Sequence, residues 1–170
     1  MKKLTISFSN AIAAALVFVM FSGCYSFQGI GIPPDVNTFY VQLFENQSAG
    51  ATPTLPRDFT ERLKDKIRTE TRLKENDESP DVEFSGSITA FDVTAEAPKA
   101  GETIGFNRLT ISVNVRFVNH KNEKANWNQQ FSFFDNFDAS QNLLDVQEQL
   151  VDNISRELVE RIFNKAFTNW

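Results

Sequence analysis

Two runs of alternating apolar and polar residues, joined by a short polar stretch, constrain the fold of this chain more than any other feature. The first run places apolar side chains on one side of a strand, at Leu109, Ile111, Val113, Val115 and Phe117. The second run does the same at Trp127, Phe131 and Phe133. Successive side chains of a strand point to opposite faces, so each run has one apolar and one polar face. The polar stretch between them, NHKNEKAN, is typical of a turn, and the sequence therefore predicts a β-hairpin with one buried face.

The rest of the chain supplies two more strands and two helices. One strand is predicted over 37–46 and another from Val82, where a slip in the alternation before Phe91 indicates a bulge or a strong twist. Apolar residues four apart predict a helix that begins at Pro56, and a wider apolar stripe predicts a long helix after residue 141. Asp138, with Gln141 three residues later, fits the capping pattern of that second helix.

The order of elements, β-α-β-β-β-α, predicts an α+β fold. A sheet with one apolar face needs a cover, which the two amphipathic helices supply. We therefore expect a two-layer sandwich in which two helices lie on one face of a four-stranded, largely antiparallel sheet. The other face is predicted to be polar, with Thr110, Ser112, Asn114, Arg116, Asn128, Gln130 and Ser132. Such a face is either simply solvated or a docking surface.

Composition excludes several functional classes. The chain has 17 basic and 22 acidic residues, for a net charge of −5, and this balance argues against nucleic acid as a partner. One cysteine excludes an internal disulfide and a thiolate metal cluster, and one histidine excludes a multi-histidine site, so no metal is expected. A catalytic site around His120 is disfavoured because His120 lies in the predicted hairpin turn. A hydrolase that uses Asp135 and Asp138 as a carboxylate pair is an alternative, but these residues are expected at a helix cap.

The N-terminal segment, 1–23, has the three parts of a secretory signal peptide. Lys2 and Lys3 form its positive region, and Ala11–Phe21 is an apolar run of eleven residues, too short to span a bilayer. Phe21, Ser22, Gly23 and Cys24 resemble the bacterial lipobox, although Phe21 replaces the usual leucine. The resemblance implies cleavage after Gly23, a diacylglycerol on the Cys24 thiol and an N-acyl chain such as palmitate on the new amine. Removal of Lys2 and Lys3 leaves 15 basic residues against 22 acidic ones, a net charge of −7.

The residues after Cys24 bear on location and domain organisation. Tyr25 follows the cysteine, where an aspartate would imply retention in the inner membrane, so the resemblance implies a lipid-anchored outer-membrane protein. In Bacteroidota lipoproteins an acidic cluster soon after the cysteine marks export to the cell surface, and here no acidic residue precedes Asp35, so the resemblance implies a domain that faces the periplasm. Residues 24–35, which contain Pro33 and Pro34, are predicted to be the lipid-anchored tether, and 36–170 the α+β domain.

From Cys24 to the C-terminus the chain resembles the LptE family in its Bacteroidota form. The resemblance is carried by the order and spacing of YSFQG, IPP, FYVQLFEN, FTERLKDKI, VEFSGSIT, RLTISVNVRF, WNQQFSFF and the closing IFNKAF. It implies an outer-membrane lipoprotein that plugs and assists a β-barrel translocon of the LptD type and that binds lipopolysaccharide. It also implies no catalytic residues and no cofactor apart from the covalent acyl chains.

Lipopolysaccharide carries phosphates and carboxylates, so nearby cations are candidate contacts. Arg108, Arg116, Lys121 and Lys124 lie in or next to the predicted hairpin and are the residues we expect to contact it. The alternative function is that of a periplasmic lipoprotein that scaffolds or pilots another outer-membrane complex, such as a secretin. The same anchor and fold would serve both functions, and co-purification with an LptD-type barrel or with a secretin distinguishes them.

Overall fold

The computed structural model describes residues 31–96 and 105–168 of the 170-residue chain. The strands are β1 (Thr38–Val41), β2 (Glu45–Asn46), β3 (Lys74–Glu75), β4 (Val82–Glu96), β5 (Phe106–Asn119) and β6 (Trp127–Asp138). The helices are α1 (Leu55–Glu70), α2 (Leu143–Phe167) and a short 3-10 helix (Glu123–Ala125). Neither α1 nor α2 is long and apolar enough to cross a membrane. The α+β class and the order of the long elements are as the sequence predicts.

The sheet corrects the expectation of four strands. It has six, in the order β3-β1-β4-β5-β6, with β2 also paired to β4. β4, β5 and β6 are antiparallel, whereas β1, β2 and β3 make only parallel pairs. β1 runs parallel to β4 because the chain crosses back through α1 between them. β2 and β3 were not predicted because two residues are too few to show a periodic pattern.

The slip in the alternation of β4 is a genuine irregularity. Its register against β5 shifts between Ile88 and Ala90, so Ile88 pairs with Val113 and Ala90 pairs with Ser112. The shift brings Phe91, rather than Ala90, to the buried face. The prediction of a bulge or strong twist at this position is confirmed.

Both helices bury their apolar stripes against one face of the sheet. Phe59, Leu63 and Ile67 of α1 and Leu150, Ile154, Leu158 and Ile162 of α2 are buried in the same core cluster as the odd-numbered residues of β5. Complete burial of one such side chain contributes about 1.5–3 kcal/mol. Arg62 and Lys66 of α1 form ion pairs with Asp152 and Glu160 of α2, which link the helices on their outer side.

The start of α2 differs from its predicted cap. Asn142 is the N-cap, and its side chain accepts a hydrogen bond of 3.1 Å from the Leu144 N–H. Asp138 instead ends β6 and accepts hydrogen bonds from the backbone and hydroxyl of Ser140, at 2.8 and 2.6 Å. Asp138 therefore stabilises the turn before the helix, and the capping assignment to Asp138 and Gln141 is wrong.

The two edges of the sheet are unlike each other. On one side the sheet ends in the two-residue strands β2 and β3. On the other side it ends in β6, which has 12 residues, pairs continuously with β5, and contains no proline, glycine, lysine or arginine. Within the described residues, no strand covers the outer side of β6.

Candidate functional site

The open face of the sheet is a polar surface, as the alternation predicts. Cross-strand neighbours on this face are Ser112 with Ser132, Asn114 with Gln130, and Arg116 with Asn128. The Ser112 hydroxyl donates to the Ser132 hydroxyl at 3.0 Å. Apart from Arg116, the central part of β5 and β6 on this side presents neutral hydroxyl and amide groups. This open face can therefore lie against another polar surface without burial of unpaired charge.

The structure does not bring the four predicted lipopolysaccharide contacts together. Arg108 and Arg116 are eight residues apart on β5, about 26 Å along the strand. Lys121 and Lys124 follow β5 and lie near Arg116 rather than near Arg108. Two of the four are already in ion pairs, Arg108 with Glu96 at 3.1 Å and Lys121 with Asp81 at 3.1 Å. No ion-pair partner is seen for Arg116 or Lys124 in residues 31–96 and 105–168, so of the four these two are the available cations.

Arg108 belongs instead to an exposed aromatic cluster near the β4–β5 connection. Its guanidinium lies 4.0 Å from the ring centroid of Phe134, and its Nε donates to the Asn136 side chain at 3.3 Å. Phe134 is 45% exposed and Phe106 42% exposed. Sequence reasoning missed this cluster. The signal for it is the pair Phe133-Phe134, since two successive aromatic residues in a strand must place one of them on the polar face.

The predicted alternative of a carboxylate pair finds little support in the local chemistry. Asp135 and Asp138 both line a cavity of about 460 Å³ between the end of β6 and the start of α2. Asp135 accepts a hydrogen bond of 3.1 Å from the Asn153 amide. The hydroxyl and backbone N–H of Ser140 donate to Asp138 and lower the pKa of its carboxyl. A glycosidase needs one carboxyl with a raised pKa as general acid, and Asp138 has the opposite shift.

His120 lies after the end of β5, and its Nε2 is 3.6 Å from a carboxylate oxygen of Glu83. In the part of the chain that the structure describes, no group of three or more His, Cys, Asp or Glu residues could hold a metal ion. Phe21, Ser22, Gly23 and Cys24, the predicted lipobox, lie outside the described residues.

The described chain begins at one end of the domain, which we call the tether end. The Gly31 N–H donates to the Phe167 carbonyl oxygen at 3.0 Å, at the last turn of α2. Arg72, just after α1, donates to the carbonyl oxygens of Ile32, Pro33 and Val36 at 3.3, 2.6 and 3.0 Å. A single guanidinium thus holds residues 32–36 against the domain. No periodic pattern in the sequence indicates this contact.

The β5–β6 turn lies at the same tether end. Phe167 packs against Phe117 of β5, with 6.4 Å between ring centroids. A shallow pocket of about 210 Å³ is lined there by Phe117, Lys124, Ala125, Asn126, Trp127, Lys165 and Ala166. Trp127 stacks on Phe117 at 5.5 Å and meets Phe131 edge-on at 5.8 Å. The opposite, distal end of the domain contains the starts of both helices, Glu96 and Phe106.

A protein-family model described as LptE, lipopolysaccharide-assembly, matches residues 36–166, which is most of the chain. The match confirms the resemblance that the sequence motifs indicate. No protein of curated function matches the sequence significantly.

Several solved structures are similar to this one. A homologue of the neuraminyllactose-binding hemagglutinin from Helicobacter pylori has a TM-score of 0.51 at 9% identity, over 83% of this chain and 88% of that chain. A minor lipoprotein from Acinetobacter baumannii has a TM-score of 0.49 at 9% identity, over 76% and 91%. An uncharacterized lipoprotein B from Nitrosomonas europaea has a TM-score of 0.46 at 15% identity, over 79% and 84%. At these identities the first likeness supports the fold alone.

Proposed function

Because the chain belongs to the LptE family of lipopolysaccharide-assembly proteins, we propose that it is a lipid-anchored plug of an LptD-type β-barrel. The family consists of non-enzymatic outer-membrane lipoproteins. The observation that carries the proposal is the family match over 36–166, which includes every described strand and both helices except the last residue of α2. In this function the protein has no catalytic residue and no cofactor besides its covalent acyl chains.

The anchor is the first component of the proposal. Cleavage after Gly23 leaves Cys24 as the first residue, with a diacylglycerol on sulfur and an acyl chain on nitrogen. Each buried methylene contributes about 0.8 kcal/mol, so three chains make the attachment effectively permanent. The domain then faces the periplasm, at the inner leaflet of the outer membrane.

The open face of the sheet is the second component. The lumen of a large membrane β-barrel is polar, because lumen-facing and lipid-facing residues alternate along its strands. The neutral hydroxyl and amide groups of β5 and β6 on the open face suit such a wall, since they exchange hydrogen bonds with water for hydrogen bonds with the barrel.

Lipopolysaccharide contacts are the third component. Arg116 is exposed on the open face, and its guanidinium suits bidentate recognition of phosphate or carboxylate. Arg108 and Phe134 offer a second cationic and aromatic surface near the distal end. Lys121 and Lys124 are the remaining contacts, and Lys121 must first leave Asp81. Contact at two places about 26 Å apart fits a large, elongated glycolipid rather than a small ligand.

Affinity purification from solubilised outer membranes tests the partner. We expect an LptD-type barrel to co-purify with the tagged protein, and depletion of the protein to leave lipopolysaccharide in the periplasm. Co-purification with a secretin, together with normal surface lipopolysaccharide after depletion, would establish the piloting alternative instead.

A second experiment tests the anchor independently of the partner. Cys24→Ala is expected to leave an uncleaved precursor that takes up no palmitate analogue, whereas Ser26→Ala, two residues away, is expected to be processed normally. Equal labelling of Cys24→Ala and the wild type would refute the lipidation site.

A further inference from the structure

We propose that the tether end binds the phosphate of anionic phospholipid headgroups at the membrane surface, through Lys124 and Lys165 together with Trp127. The lipid anchor of the proposed function brings this end to the membrane, and the inference rests on that part of it. The ligand is the bilayer itself, and no soluble anion is required. The consequence is that the tether end of the domain is held at the inner leaflet.

The two lysines are the first argument. Both line the pocket at the tether end, and both are exposed. Neither forms an ion pair with any residue in 31–96 or 105–168, whereas Lys64 and Lys121 each have a carboxylate oxygen within 3.1 Å. Two ammonium groups on one rim therefore remain available to an external anion. The acid nearest in sequence, Glu123, precedes Lys124 in the 3-10 helix and points to solvent as an exposed residue.

The indole of Trp127 is the second argument. Its ring is held on one side by Phe117 and at its edge by Phe131. It is only partly buried, and it lines the same pocket as the two lysines. An amphipathic ring of this kind is favoured at the level of lipid headgroups, where one part lies in an apolar and another in a wet environment. Aromatic side chains next to two lysines are complementary to a phospholipid at the boundary between its acyl chains and its charged headgroup.

The path of the chain is the third argument. Gly31 is fixed to Phe167, and Lys165 and Ala166, which line the pocket, directly precede Phe167. Arg72 holds the following residues against the domain through hydrogen bonds to the carbonyl oxygens of Pro33 and Val36. Cys24 and Gly31 are seven residues apart, so the connection between them spans at most about 25 Å. The acyl chains of the proposed anchor therefore keep this pocket near the bilayer surface.

The acidic net charge of the chain does not oppose this local contact. The acids at or near the tether end that could repel lipid are Asp35; Asp77, Glu78 and Asp81 of the β3–β4 loop; Glu83 at the start of β4; and Glu123 beside Lys124. Lys121 and the backbone N–H groups of Asn37 and Thr38 already engage the Asp81 carboxylate, and His120 lies beside Glu83. The β3–β4 loop contacts the β5–β6 turn at Asp81, whose carbonyl oxygen accepts a hydrogen bond from the His120 N–H and whose carboxylate pairs with Lys121. Lys121 therefore offsets part of the negative charge of this loop.

Fluorescence of the lipidated full-length protein in vesicles tests the inference. Trp170→Phe leaves Trp127 as the only tryptophan, and brominated lipids quench it on contact. We compare vesicles of phosphatidylcholine with vesicles of equal parts phosphatidylcholine and phosphatidylglycerol. The expected result is about twofold stronger quenching in the anionic vesicles, lost at high salt because screening weakens exposed charge contacts.

Charge variants give the test its specificity. Lys124→Glu and Lys165→Glu are each expected to reduce quenching to the level of neutral vesicles, and Lys124→Gln and Lys165→Gln to reduce it partly. Arg57→Glu makes the same charge change at the distal end, on a residue that is 73% exposed, and is expected to have no effect. Near-ultraviolet circular dichroism verifies that each variant remains folded.

The outcomes separate this inference from the anchor. Protein that fails to float with either kind of vesicle contradicts the lipid anchor. Protein that floats with both, but shows equal quenching in both and no effect of the lysine variants, overturns the inference and leaves the anchor intact. If inorganic phosphate abolishes the difference at constant ionic strength, the pocket binds a free anion and the membrane assignment is wrong.

Discussion

Thr38 and Asp81 are joined by two reciprocal hydrogen bonds. The Thr38 N–H donates to Asp81 Oδ2 at 3.0 Å, and the Asp81 N–H donates to Thr38 Oγ1 at 2.9 Å. The Asn37 N–H reaches the same carboxylate oxygen at 2.8 Å. Burial opposes ionisation of Asp81, but the bonds from Asn37, Lys121 and Thr38 outweigh it and lower the pKa of the carboxyl to about 2. The charged carboxylate thus holds the start of β1 beside the start of β4.

The first prediction concerns the pH dependence of this contact. A carboxyl whose folded pKa is depressed stabilises the fold above its unfolded pKa, about 3.9, and the stabilisation is lost as pH falls toward 2. Asp81→Asn is expected to lower the free energy of unfolding by about 2 kcal/mol at pH 7 and by much less near pH 2. Urea unfolding at both pH values measures the difference. Asp77→Asn, an exposed carboxylate in the same loop, serves as control, and an equal loss for both variants would contradict the prediction.

The second prediction compares two phenylalanines. Phe167 is fully buried and touches Phe84, Phe117 and Phe163, with ring centroids 5.1–6.4 Å apart. Phe167→Ala is expected to cost about 3–5 kcal/mol, since it leaves a cavity among these rings. Phe134→Ala removes the same atoms from an exposed position and is expected to cost about 1 kcal/mol or less, through loss of the contact with Arg108. Denaturant unfolding measures the loss of stability in each variant. Similar losses for the two variants would show that the core is misassigned.

The third prediction concerns close packing at Gly86. A Cβ atom at this position would lie 2.2 Å from the Asn114 carbonyl oxygen and 2.8 Å from Cε1 of Phe44. Gly86→Ala is therefore expected to destabilise the fold by about 1–3 kcal/mol, because the strand backbone must shift to admit one methyl group. Thermal unfolding measures the loss. Ser85→Ala, on the neighbouring residue, is the control, and a Gly86→Ala protein as stable as this control would show that the backbone yields freely.

The fourth prediction concerns Arg72. A lysine retains the charge but cannot direct several donors at the carbonyl oxygens of Ile32, Pro33 and Val36 together. Arg72→Lys is expected to raise amide hydrogen exchange at Gly31 and Val36, with little change in the strands. Arg57→Lys, an exposed arginine in the first turn of α1, is expected to leave this exchange unchanged. Unaltered exchange in Arg72→Lys would mean that packing of Ile32, rather than the guanidinium, holds the segment.

Long periodic elements could be predicted from the sequence because their burial pattern repeats over many residues. The β5–β6 hairpin, the bulge in β4 and the buried stripes of α1 and α2 follow from periods of two and 3.6. The parallel pairing of β1 and the short strands β2 and β3 could not be predicted from the sequence. Each depends on where α1 and the following loops place the chain beside the sheet.

The candidate contacts also divide into those that the sequence predicts and those that only the fold brings together. Arg116 lies on the polar face of β5, as predicted, but the candidate contact Arg108 is about 26 Å away along the same strand. Conversely, Lys124 and Lys165 are 41 positions apart and line one pocket, because the β5–β6 turn meets the last turn of α2. Neither the pocket nor the Arg72 contact has a local signal, since both arise from segments that only the complete fold brings together.

The long outer strand β6 makes the isolated domain hard to keep dispersed. Its outward amide and carbonyl groups form a template on which a second extended chain can grow, and it lacks the proline and lysine with which such edges are often blunted. Concentrated preparations of the domain without a partner are therefore prone to edge-to-edge association. Another polypeptide bound along β6 would keep the domain soluble, besides any function of that complex.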